Sequence, residues 1–141
     1  MTHEEFILHF YETIWTCGDV AAVDDFFAPS AKLGGIAYDM ALKPEDFVVF
    51  AQSLLMLIEQ PRFEILRTVS EEDMVSALIR CTGISARTGK AAAITAQVMM
   101  RFENGKIAEA YNHFDMLGLF ISLDLMPANV LERMLAAEPL R

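Results

Sequence analysis

Asp115 and His113 are the residues whose type and spacing best suit acid/base chemistry. They close an alternating apolar run, Ile107 to Phe114, and the apolar segment Met116-Leu117-Gly118-Leu119-Phe120 follows. In a regular strand, side chains two apart share a face, so His113 lies beside Asp115 and Tyr111 continues that face as core or pocket wall. By the same parity Asn112 faces away, and a bulge would exchange the two sets. A carboxylate in apolar company is either a tuned acid/base or a residue that caps Leu117–Phe120 or pairs with an arginine. His113 is able to donate to a substrate or hold the Asp115 proton; a half-buried histidine with a satisfied hydrogen bond is the plain alternative.

Tyr11, Trp15 and Tyr38 each join an apolar body to one polar tip. That suits a flat, mostly apolar ligand, or core packing with the tip hydrogen-bonded. Gln97, with Thr95 and Arg101 on its face, offers an uncharged amide to a pocket. Met56, with Met40, Met99, Met100 and Met116, is an adaptable side chain whose packing sets the pocket's volume.

The elements that position these residues follow from periodicity. Thr2-His3-Glu4-Glu5 reads as a capping box. Ile7, Phe10, Tyr11, Ile14 and Trp15 then repeat at helical spacing, and Cys17-Gly18 ends the helix. Asp19 opens a second helix, Val20 to Phe27, closed by Ala28-Pro29. Ala31 to Tyr38 is a short strand with Gly34-Gly35 inside it. Pro44-Glu45-Asp46 starts a third helix that ends near Gln60-Pro61. Beyond Pro61 the period changes from helical to alternating. Strands are predicted over Arg62–Val69, Met74–Ser85, Ala91–Phe102 and Ile107–Phe114, the last pair joined by an Asn104-Gly105 hairpin turn. Pro127 to Ala137 reads as a C-terminal helix. Three helices followed by an antiparallel meander make an α+β domain, a single one over residues 1–141.

Gly105-Lys106-Ile107, then Glu109, Tyr111, Asn112, Asp115, a Leu-Gly-Leu segment and Pro127, resembles the C-terminal signature of SnoaL-like proteins. These are polyketide cyclases and relatives in the NTF2-like superfamily. The resemblance implies a cone in which three N-terminal helices pack on a curved antiparallel sheet around an internal pocket. It implies an apolar, cyclic carbonyl compound as ligand, Asp115 as general acid/base, His113 or Tyr11 assisting, and no cofactor. It also implies a homodimer formed through the open sheet face. Other branches of the superfamily fit less well. The ketosteroid isomerases carry an acid on the strand matching Ala31–Ile36 and another on the strand matching Ala91–Phe102, and neither is present. The limonene-epoxide-hydrolase pattern has an Asp where Thr82 stands beside Arg80. The histidine common near Cys81-Thr82-Gly83 and the glutamine common near Ser122 are also missing.

Composition narrows the classes. The 141 residues are 54% hydrophobic, which supports a sizeable core and argues against disorder. A formal net charge of −9 without a basic cluster argues against nucleic acid and anionic membranes. The apolar stretch Phe47–Ile58 is too short to span a bilayer. Cys17 and Cys81 are isolated and read as reduced thiols, and the N-terminus lacks a signal pattern, so a cytoplasmic protein is expected. Cys17 at a helix C-terminus is a poor nucleophile. His3, His9 and His113 have no paired spacing, so no metal site is expected. Three readings stay open: a proton-transfer enzyme, a binding protein with the same pocket, and an assembly module with the pocket filled by Met and Phe.

Overall fold

The computed structural model describes residues 1–34 and 41–141. Tyr38, Asp39 and Met40 lie outside the described residues. The chain opens with α1 (His3–Tyr11), continued by one π-helical turn (Glu12–Thr16). A 3-10 turn (Val20–Ala22) leads into α2 (Val23–Phe26), β1 (Phe27–Gly34), β2 (Ala41–Leu42) and α3 (Pro44–Leu55). The meander follows: β3 (Ile58–Glu71), β4 (Met74–Ser85), β5 (Ala91–Glu103) and β6 (Lys106–Phe114). Two short helices end the chain, α4 (Met116–Ser122) and α5 (Val130–Leu135).

The predicted start signals operate as local chemistry requires. Thr2 Oγ1 accepts from the Glu5 N–H at 3.1 Å, and Glu5 accepts from the Thr2 N–H at 3.1 Å. Pro44 occupies the first turn of α3, and Asp46 accepts from the Lys43 N–H at 3.1 Å. Asn104 and Gly105 take φ of 52° and 76°, the conformation of the hairpin turn their pairing announces.

Several boundaries differ from the sequence expectation. The second helix stops at Phe26, and Phe27 already pairs with Ile107. The third helix stops at Leu55, because Gln60-Pro61 lies inside β3 rather than after a helix. Proline is tolerated there at a bulge between Glu59 and Arg62, with Gln60 at φ 53°. Gly83, on the facing strand, makes the crossing possible. A Cβ there would meet Ile58 Cγ2 at 2.5 Å and the Glu59 carbonyl oxygen at 3.2 Å. Finally, α4 forms directly after Asp115.

The strands make one sheet in the order β2-β1-β6-β5-β4-β3. All neighbouring pairs are antiparallel except β1 with β6, which run parallel. Irregularities at Phe27/Lys32, Glu59/Arg62, Ile65/Arg67 and Arg101/Phe102 bend the sheet into the expected curved, open form. Its concave face packs on α1 and α3. Ile7, Ile14, Val75, Ile79, Val98, Met100 and Ile107 are almost completely buried there. An aromatic cluster joins the layers: Phe10 packs on Phe26, Phe27 and Phe47 with ring centroids 5.4 to 5.9 Å apart. A second cluster, Ile58, Ala92, Leu119 and Leu123, seats α4 against the far end of the sheet.

Candidate functional site

The site is built from one wall upward. The π turn closes with the Cys17 N–H donating to the Glu12 carbonyl at 2.8 Å. Such turns rotate the residues they carry and recur at functional sites. Here the turn carries Trp15 into the interior, while Thr16 Oγ1 donates to the Pro61 carbonyl at 2.8 Å and ties the helix to β3. Tyr11, on the last turn of α1, stacks on Phe63 with centroids 4.7 Å apart, and Trp15 lies 6.4 Å from the same ring. Phe63 and Cys81 face each other across β3 and β4.

Trp15, Pro61, Phe63 and Cys81 line a partly enclosed apolar cavity of about 40 Å³, and Tyr11 packs on Phe63. Trp15, Leu54 and Leu55 supply its helical side, and Phe63, Cys81, Ile94 and Phe114 its sheet side. Met116 and Leu119 of α4 close one end. Space of that size holds a water or two, whereas benzene needs about 150 Å³. A larger ligand therefore requires the unbranched or mobile side chains over it, Met116 and the two leucines, to part.

The polar atoms of the wall and of Tyr11 are all neutral. Burial pushes the Tyr11 hydroxyl far above its ordinary range, with the neighbouring Cys81 adding to the effect. Burial also pushes the Cys81 thiol up to about 11. Neither is ionised near neutrality, so Cys81 is no thiolate nucleophile. Tyr11 is 2% exposed and Trp15 is 5% exposed, yet neither Tyr11 OH nor Trp15 Nε1 has a hydrogen-bond partner among the described residues.

Asp115 stands in the chain between two residues of the cavity lining. It is the N-cap of α4, and its Oδ1 accepts from the Gly118 N–H at 2.9 Å. Its chain neighbours Phe114 and Met116 both line the cavity. The carboxylate is itself exposed. The structure thus realises the capping role that its position before Leu117–Phe120 suggested.

The face assignment of β6 is corrected. Tyr111 and His113 do share a face, but it is the outer, solvent-exposed one. Ala108, Ala110, Asn112 and Phe114 point inward. The physical reason is twofold. Asp115 has left the strand to cap α4, so it does not set the strand's parity. The irregularity at Arg101/Phe102 also places Ile107 and Ala108 inward in succession. Asn112, 7% exposed, is the inward polar residue that parity had turned away.

Gln97 is likewise exposed, directly opposite His113 on the outer face. Met56 is 80% exposed and lines a separate shallow groove with Leu123 and Leu125. Of the predicted site residues the structure therefore brings Trp15 to the cavity wall, packs Tyr11 on the lining residue Phe63 and sets Asp115 between the lining residues Phe114 and Met116, and it leaves Met56, Gln97, Tyr111 and His113 outside. Tyr111 instead donates to Glu109 at 2.6 Å. Glu109 also accepts from Arg101, and that hydrogen bond holds its carboxyl below the usual range. Cys81 and Phe63 were missed as wall residues, although strand alternation from Ile79 and Ile65 points both inward. Among the described residues no cluster of three metal-binding side chains occurs, and no helix is long and apolar enough to cross a membrane.

Comparison with known proteins agrees with this architecture. IdmH of Streptomyces antibioticus, named as a candidate polyketide cyclase, superposes with a TM-score of 0.74 at 19% identity, over 86% of this chain and 97% of its own. AclR of Streptomyces galilaeus, named as a candidate hydroxylase, gives 0.73 at 22% identity, over 96% and 94%. A protein of Catenulispora acidiphila with a ketosteroid isomerase-like fold gives 0.74 at 15% identity, over 89% and 96%. At these identities the likeness concerns the fold. No curated protein matches the chain. The SnoaL-like domain family matches residues 7–110, from the first helix to the middle of β6. That span takes in the aromatic wall and most of the sheet it faces, and on it the chain belongs to the SnoaL-like family.

Proposed function

We propose that this chain takes an apolar carbonyl compound into the cone and moves a proton at the carbon next to the carbonyl, with Asp115 as general acid/base. The observation that carries the reading is the position of Asp115. It is an exposed carboxylate whose two chain neighbours, Phe114 and Met116, line an apolar cavity. The Gly118 N–H holds Oδ1 and orients the group, while Oδ2 is the oxygen available to a substrate. In the step, the C–H bond breaks, its electron pair becomes the enolate, and the proton goes to Asp115. Return of the proton to another carbon gives isomerisation; attack of the enolate carbon on a second carbonyl, whose oxygen takes the carbonyl π electrons and then the proton from Asp115, gives ring closure. Neither outcome needs an oxidant, a metal or a cofactor. The family's named polyketide cyclases support the substrate class.

The test is Asp115→Asn. Asparagine is as good an N-cap as aspartate, so α4 is retained. Turnover of cyclic ketone or polyketide-like substrates is expected to fall about 10²- to 10⁴-fold, with ligand affinity changed only a few-fold. Wild-type turnover in the variant would remove Asp115 from the chemistry.

A second reading, binding without turnover, is favoured by one observation: the cavity of about 40 Å³ has an apolar lining, and its wall carries no charged group. Saturable ligand binding with no turnover across the same substrates would select it.

A further inference from the structure

We propose that Asn104 is a site of spontaneous covalent modification, where the side chain closes on the Gly105 backbone nitrogen and reopens as aspartate or isoaspartate. This chemistry is independent of what the cone binds. The chain has three asparagines, Asn104, Asn112 and Asn129, and their surroundings differ in the respect that matters. Ring closure requires the amide nitrogen of the next residue to reach the side-chain carbonyl carbon. At Asn104 that approach is open. Asn104 and Gly105 are both exposed and form the two-residue turn beyond the closing pair Glu103 and Lys106. Gly105 has no side chain to shield its nitrogen, and no atom lies within 4 Å of where a Cβ would stand. Among the described residues the Gly105 N–H has no backbone acceptor. At the other two asparagines the approach is closed. Asn112 is 7% exposed within β6 and pairs with Val98, so the sheet fixes its backbone. Asn129 is followed by the β-branched, buried Val130, whose N–H donates to the Pro127 carbonyl at 3.0 Å.

The reaction needs water and nothing else. The Gly105 nitrogen forms a bond to Asn104 Cγ, the Cγ–Nδ2 bond breaks, and Nδ2 leaves as ammonia with the proton of the Gly105 N–H. The product is a cyclic imide. Water that opens it at Cγ gives aspartate. Water that opens it at the backbone carbonyl carbon gives isoaspartate, in which the main chain runs through Cγ. Either product adds one negative charge, next to Glu103, to a chain of net charge −9. Their effects on the fold differ. Asn104 has φ 52°, a conformation that aspartate tolerates as asparagine does. Isoaspartate inserts a methylene into a two-residue loop, and in a hairpin the loop length fixes the register. It therefore loosens the end of the hairpin that holds the Glu103–Lys106 pair and the Arg101–Glu103 ion pair.

The full chain is incubated at about 37 °C at about pH 7 and about pH 9, and its peptides are followed by mass spectrometry. Exchange of the amide nitrogen for oxygen makes a peptide one dalton heavier. That gain is expected in the Asn104 peptide alone, faster at the higher pH because the Gly105 nitrogen attacks after losing its proton. Asn104→Gln, whose longer side chain closes the ring poorly, is expected to lose the gain. Chromatography against Asn104→Asp as the aspartate standard separates the two products. The isoaspartate form is expected to unfold at lower urea than Asn104→Asp. An Asn104 peptide that keeps its mass in the folded chain at about pH 9 overturns the proposal, and conversion of the same peptide in urea would show that the turn protects it. Gain at Asn112 or Asn129 as fast as at Asn104 overturns the selection by structure. Equal urea midpoints for the two products overturn the loosening of the hairpin.

Discussion

At the residue scale, the interior holds groups whose chemistry is kept unexpressed by burial. Tyr11→Phe removes a buried hydroxyl that has no partner among the described residues, so the variant is expected to be more stable, by about 1–2 kcal/mol. Urea unfolding reads the stability. A destabilised variant would mean that the hydroxyl is paired in solution. The thiols provide a second test. Cys81 ionises only near pH 11, whereas Cys17 is exposed. Iodoacetamide at pH 8 is therefore expected to label Cys17 readily and Cys81 only once the protein unfolds, as mass spectrometry of the modified peptides would show. The same shift links to stability. The folded state holds the Cys81 proton to about 11 against an ordinary value of 9.0, and it holds the Tyr11 proton higher still. Between those limits the unfolded chain has released protons that the folded chain retains. Stability is thus complete below about pH 9 and falls as pH rises toward 11. Cys81→Ala is expected to flatten the first part of that decline.

At the element scale, α4 links the cavity to the rest of the fold. It supplies the cap acid Asp115 at one end and cavity residues Met116 and Leu119 along its length. Its far end is fastened by Arg87, which donates to the carbonyls of Leu123 at 3.0 Å and Asp124 at 2.8 Å, with Lys90 pairing to Asp124 at 3.0 Å. Gly118→Ala probes the near end. A methyl there would collide with the Asp115 carboxylate, which must swing off the cap. The helix gains an alanine and loses its cap, two effects of about 1 kcal/mol that oppose each other. Net stability is therefore expected to change little while turnover drops. Turnover at the wild-type level would show that the capped geometry is irrelevant to the chemistry.

Much of this scale was legible in the sequence. The meander, the caps and the Asn104-Gly105 turn follow from period and turn chemistry. The β6 faces did not, since a bulge and a helix cap at opposite ends of the strand both shift parity, and no residue signals the bulge while Asp115 leaves the cap as one of two roles. The short α4 was visible only as the alternative role of Asp115. Pro61 read as a helix stop because tolerance of proline inside a strand depends on a bulge, and on a glycine across the ladder at Gly83. The orphaned tips of Tyr11 and Trp15 are a tertiary fact, since no sequence pattern states that a polar tip lacks a partner.

At the scale of the whole molecule, the sheet has one covered face and one open one. The concave face is closed by the helices. The outer face carries Leu78, Met99 and Tyr111, 37%, 44% and 40% exposed, with Met99 directly opposite Tyr111. Charged pairs border them: Arg80 with Glu64 on one side, and Arg101 with Glu103 and Glu109 on the other. An apolar centre inside a charged border is how protein interfaces are composed. We propose that two copies pair through this face. The net charge of −9 opposes that pairing, and salt screens the repulsion over about 10 Å at 0.1 M. Association is therefore expected to strengthen between about 0.05 and 0.3 M salt, the direction of screened like-charge repulsion. Met99→Glu places a carboxylate at the centre of the face on an already exposed position. It is expected to leave unfolding stability within about 0.5 kcal/mol and to convert the dimer to monomer in sedimentation velocity. A wild-type chain that sediments as a monomer at high concentration and high salt would sink the proposal, because nothing then covers the open face. A Met99→Glu dimer as tight as wild type would move the interface elsewhere on the molecule.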